Sequence, residues 1–132
     1  KIFRMGIEFG DARTKPKKPK ATIHKNGRVG FNGDAAEVFG LTGEEIFCLA
    51  YDEDEGPHGD LYLLEEVEGC PEKSKVNVAK AGGYFYVNLR RFFDRNEVPY
   101  DEKKVIYDLE EVETPYGSAV HLNRRDEDRS RE

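Results

Sequence analysis

The residues of this chain best suited to chemistry are aromatic and cationic, and they fall together. Tyr84, Phe85, Tyr86, Phe92 and Phe93 lie beside Arg90 and Arg91. Rings next to guanidinium groups can stack on and clamp unpaired bases. Phe85 and Val87 alternate with Tyr84 and Tyr86, which sends one pair to the core and leaves the other on a partly exposed face. A second cationic feature is the run Arg13, Lys15, Lys17, Lys18 and Lys20, with no acid within it.

Other chemistries fail on spacing. The acidic stretch from Asp52 to Asp60 invites a calcium loop, but counting from Asp52 the sixth place, which needs Gly, holds Pro57 and the twelfth holds Leu63. His24, His58 and His121 lie far apart with no ligand-pair spacing, and His24 is expected on a strand. There is no GxSxG, no phosphate-cradling glycine loop and no Cys/His pair at a recognised spacing. The expectation is a protein that is not an enzyme and has no cofactor and no metal site.

The elements that must position these residues are read from pattern. Residues 2–9 alternate as a strand, and residues 10–20, with two prolines, read as an extended linker. Asn26-Gly27 is a hairpin signal within 21–31. Asp34 is expected to cap a short helix over 34–39 that Gly40 stops. Strands are expected over 45–51 and 61–64, then over 75–79, 84–87, 104–109 and 119–122, with a helical turn over 89–94. The charged tail 123–132 is expected to fray.

This order repeats. Gly83 and Asn88 stand 56 residues after Gly27 and Asn32, each pair followed by a short helix and two strand-like runs. The expected fold is mostly β with short helices: tandem β-β-α-β-β units over 21–68 and 75–122, with 1–20 and 123–132 outside them. The helical pieces are too short for parallel crossovers.

Composition sets limits. The 132 residues fit one compact domain or two fused subdomains, 37% hydrophobic and 36% charged, with eight Phe and seven Tyr to fill the core. Cys48 sits in a strand pattern, where a buried thiol is the simpler reading; a bridge to Cys70 stays open. No apolar run approaches the roughly 20 residues that cross a bilayer. The first residues lack a signal-peptide stretch, so the cytoplasm is the expected location. The net charge of −6 repels nucleic acid and membrane headgroups on average, but the average conceals the basic run.

Residues 25–44 resemble the AbrB-type swapped-hairpin family of transition-state regulators and antitoxins. The resemblance rests on Gly27-Arg28-Val29-Gly30-Phe31, Glu37-Val38-Phe39, Gly40-Leu41 and Gly43-Glu44. Asn32 stands where Pro is usual, and one residue is missing before Gly43. The resemblance implies a single-chain pseudo-dimeric barrel that binds DNA in a regulatory role. It implies contacts from Lys25 and Arg28, and from Lys80, Arg90, Arg91 and Arg95. Lys15, Lys17, Lys18 and Lys20 would follow the phosphate backbone. Ala36 and Phe92 occupy the helix position where the family carries a DNA-contacting Arg, and Tyr84 stands in the place of Arg28. A protein-interaction or assembly module on the same fold is the alternative. The repeat signature and the basic run favour the first reading; the net charge and the missing helix arginine favour the second.

Overall fold

A computed structural model describes residues 16–130, with side chains through residue 125. The expected strand over 2–9 and Lys15 lie outside the described residues. The described elements are β1 (Lys20–Ile23), β2 (Arg28–Phe31), α1 (Gly33–Val38), β3 (Ile46–Tyr51), β4 (Leu61–Leu64), β5 (Lys75–Asn77), β6 (Ala79–Ala81), β7 (Tyr84–Asn88), α2 (Arg90–Arg95), β8 (Lys103–Thr114) and β9 (Gly117–Ser130). A 3₁₀ turn at Glu72–Ser74 precedes β5.

All nine strands join one antiparallel sheet in the order β5-β3-β4-β9-β8-β1-β2-β7-β6. β5 and β6 stand at opposite ends of that order, yet only Val78 separates them along the chain. The sheet therefore nearly closes into a barrel, which hides the strand edges that an open sheet leaves exposed. Val78 is buried and donates its N–H to the Glu45 carbonyl at 2.9 Å. The strands of 21–68 and 75–122 intermix, with β1 and β2 lying between β8 and β7. Among the described residues no helix is long and apolar enough to cross a membrane.

The interior follows from alternation. Ile23, Val29, Leu61, Leu63, Val87, Val105, Tyr107 and Leu122 are fully buried, as is Phe93 of α2. Each aliphatic side chain so buried contributes about 1.5–3 kcal/mol. Between β2 and β7, Val29 faces Val87 and Phe31 faces Phe85.

Helix α1 is capped by Asn32, not by Asp34. The Asn32 Oδ1 accepts the N–H of Ala35 at 2.8 Å and that of Lys20 at 3.1 Å, and its amide donates to the Lys18 carbonyl at 2.9 Å. One side chain thus caps the helix and holds the chain before β1. Asp34 accepts the Lys18 N–H at 2.9 Å. Residues 18–20 are therefore fixed in place rather than a free linker, because the cap and first turn of α1 offer them acceptors. The helix ends as expected at Gly40, whose φ is +61°, with the Leu41 N–H on the Ala36 carbonyl at 2.9 Å. Helix α2 ends in the same way, but Glu97 takes the left-handed position, at φ 56°.

Three further expectations are corrected. His24 is not on a strand; it is exposed in the loop between β1 and β2. The tail does not fray at residue 123, because β9 continues to Ser130 and pairs with the long β8, placing Asp126 opposite Val105. Cys48 is not a free thiol; it is bridged to Cys70, with Cα atoms 6.0 Å apart.

Gly27 allows the β1–β2 loop to rest on α2. Its φ is +84°, its carbonyl accepts the Leu89 N–H at 3.2 Å, and a Cβ there would lie 2.6 Å from the Arg90 Cα. Gly27→Ala is expected to cost about 3 kcal/mol, combining positive-φ strain with overpacking against backbone. Glu97→Gly should add about 0.5–1 kcal/mol, because it relieves the left-handed strain. Urea denaturation checks both: an unshifted midpoint for Gly27→Ala would show that the loop does not bear on the helix.

Candidate functional site

Two neighbouring surfaces gather the cationic and aromatic residues. The first is the outer face of β2 and β7. Gly30 lies opposite Tyr86 in this pairing. Its missing side chain makes room for Tyr84, since a Cβ there would sit 2.2 Å from the Tyr84 hydroxyl. The Tyr84 ring stacks on Tyr86 at 5.5 Å, and the Arg28 guanidinium lies 4.2 Å from the Tyr86 ring centre. His24 approaches the Tyr84 ring edge-on at 5.8 Å. The result is a ladder of half-buried tyrosines closed at one end by a cation. Burial pushes the Tyr84 hydroxyl pKa up, and Arg28 opposes that shift.

The second surface is a cleft of about 580 Å³ between α2 and the β3–β5 side of the barrel. Lys73, Lys75, Arg90, Arg91 and Arg95 line it, over a floor that includes Leu49, Val76 and Phe92. No Asp or Glu is in the lining. Buried Phe93 anchors the helix, while Phe92 tilts against Tyr51 at 5.9 Å. Arg91 and Arg95 lie four residues apart and so share one face of α2. Arg90 pairs with Asp94 at 3.5 Å and Lys75 with Glu72 at 3.0 Å. Among the described residues, no carboxylate pairs with Lys73, Arg91 or Arg95. With two of the five cations paired and three without a carboxylate partner among the described residues, the cleft keeps an excess of positive charge, which raises the local potential and draws anions to it.

The residues expected to act together separate into groups. Arg90 abuts Gly27 in the β1–β2 loop, which also carries Lys25, while the adjacent Arg28 lies over Tyr86. Arg91 and Arg95 face the cleft. Lys80 lies on the opposite face of the sheet from Arg28: it pairs with Phe85, and its Nζ is 5.5 Å from that ring. Lys17 is held by Glu37 at 2.8 Å, and that hydrogen bond raises its pKa. Lys18 is exposed, and Lys20 opens β1 opposite Asp108. Lys73 and Lys75 were missed in the sequence because their only local signal is two lysines flanking Ser74. It is the pairing of β5 with β3 that brings them beside α2. Among the described residues, no three His, Cys, Asp or Glu side chains converge as metal ligands.

The ladder has a titration signature. The raised Tyr84 pKa means that the fold favours the neutral phenol, so this contribution is complete below the unfolded value of about 10 and is lost as pH rises above it. In a spectrophotometric titration, Tyr84→Phe should remove a phenol that ionises above the ordinary range. Loss of an ordinary phenol instead would place Tyr84 in open solvent.

No protein family, curated protein or solved structure matches this chain.

Proposed function

We propose that the chain is a nucleic-acid-binding protein of regulatory type, whose contact surface is the α2 cleft continued by Arg28 and the tyrosine ladder. The observation that carries this reading is the cleft itself: five cations with no carboxylate in the lining, on a chain of net charge −6. Lysine and arginine there would neutralise phosphates and release counterions. Arg91 and Arg95, free of ion pairs among the described residues, offer planar forks for phosphate oxygens. DNA is the ligand implied by the AbrB resemblance.

We read the barrel further as two tandem repeats forming a pseudo-dimer. Gly30 and Tyr86 face each other across β2 and β7, and they are 56 residues apart, the interval that separates Gly27 from Gly83. Exchanging β1, β2, β3 and β4 for β5–β6, β7, β8 and β9 leaves the neighbour order of the closed sheet unchanged. Both helices end in the same left-handed stop. The repeats differ in charge: α1 carries Asp34 and Glu37 where α2 carries three arginines. The proposed contact is therefore one-sided, unlike a symmetric dimer reading two half-sites.

The proposed cytoplasmic location suits a nucleic-acid ligand, whereas disulfides are rare there. Alkylation of the protein at lysis decides this: free Cys48 and Cys70 thiols fit the cytoplasm, and a persisting bridge places the chain in an oxidising compartment.

Fluorescence anisotropy with labelled duplex and single-stranded oligonucleotides, at low and moderate salt, tests the reading. The double variant Arg91→Ala/Arg95→Ala should weaken binding about tenfold or more and reduce the salt slope by roughly 1–2, with an unchanged urea midpoint. A preference for single strands would assign base stacking to Tyr84 and Tyr86. Unchanged affinity and slope would remove the cleft from the site, and no binding by the parent protein at low salt would end the reading.

A further inference from the structure

Beyond the Tyr51–Phe92 contact lies a groove of opposite character. It has a volume of about 410 Å³, and four rings line it: Tyr51 at the end of β3, Tyr62 on β4, Tyr116 in the β8–β9 turn and His121 on β9. Tyr62 and His121 are cross-strand partners and stack at 4.7 Å with planes 6° apart. Asp60 fixes this pair. One of its oxygens accepts the Arg124 N–H at 2.9 Å, and the other lies 2.8 Å from His121 Nε2. Glu110 lies 3.5 Å from His121 Nδ1, so both ring nitrogens face carboxylates.

The rim is open and the field negative. Tyr116 is 75% exposed and Tyr51 44%, high values for large aromatics bounding a concavity. Asp52 and Glu113 belong to the lining, and no lysine or arginine does. Burial raises the Tyr62 pKa, and Asp60, Glu55 and Asp52 add to the shift. An anion would be repelled here. A neutral apolar ligand would cover the carboxylates without pairing them, which costs free energy. A planar cation satisfies both features, stacking on ring faces and pairing with Asp52 or Glu113. The groove is larger than one guanidinium needs and falls in the range that holds a ligand of several residues or rings.

We propose that this groove binds an arginine-bearing extended segment of a partner protein, with the guanidinium seated among Tyr51, Tyr116 and the carboxylates of Asp52 and Glu113. The site is independent of the nucleic-acid reading, since none of its residues lines the α2 cleft.

The test is anisotropy of a fluorescein-labelled peptide of alternating glycine and arginine, against its citrulline counterpart, which keeps the shape without the charge. The parent protein should bind the arginine peptide and not the citrulline one. Tyr116→Ala, which leaves the net charge unchanged, and Glu113→Gln should each weaken binding about fivefold. Glu102→Gln, a charge removed elsewhere on the surface, should leave it unchanged. Tyr116 is exposed, so its variant is expected to keep the parent's urea midpoint. No binding of the arginine peptide, equal binding of the citrulline peptide, full affinity in Tyr116→Ala, or a loss in Glu102→Gln as large as in Glu113→Gln would each overturn the proposal.

Discussion

The antiparallel pairing of β2 with β7 is the interaction on which the rest of the molecule depends. It closes Val29 on Val87 and Phe31 on Phe85 inside the barrel. On the outside it lays Tyr84 over Gly30 and Tyr86 under Arg28. At its end it sets the β1–β2 loop against the first turn of α2, where Gly27 touches Arg90. Without this pairing both hairpins would present free edges, and α2 would lose the surface that orients its arginines. Core, ladder and cleft therefore depend on the same four residue pairs.

Charge is distributed with similar economy. The chain is acidic as a whole, yet its cations and anions are sorted on either side of the Tyr51–Phe92 contact. On one side, five lysines and arginines line a cleft and, among the described residues, only two of them pair with a carboxylate; on the other, carboxylates and tyrosines line a groove with no lysine or arginine in its lining. A net charge cannot express such sorting, because potential near a surface is set by the charges within about a Debye length. The two surfaces are thus suited to ligands of opposite sign.

The sequence by itself determined what depends on neighbouring residues. Apolar and aromatic runs over 45–51, 61–64 and 84–87 located β3, β4 and β7, because such side chains fit a pleated, half-buried surface. Gly40 stopped α1 because a left-handed residue costs glycine little. Alternation over 84–87 made it legible that one of two pairs faces the core, and packing decided that Phe85 and Val87 do, with Tyr84 and Tyr86 on the other face. The α1 cap was misassigned because Asn32 and Asp34 are both capping residue types, and only the position of Lys18 and Lys20 against the helix separates them.

Tertiary structure decided everything that joins distant segments. β9 runs on to Ser130 because β8 supplies a partner for backbone that would otherwise be unpaired. Cys48 meets Cys70 because the chain between them folds back across β4. Lys73 and Lys75 enter the cleft through the pairing of β5 with β3, and Lys80 is turned to the opposite face by its pairing with Phe85. Residue type and spacing identify which groups can bind a charge; sheet order and register determine which of them stand together, because that depends on pairing between segments far apart in the chain.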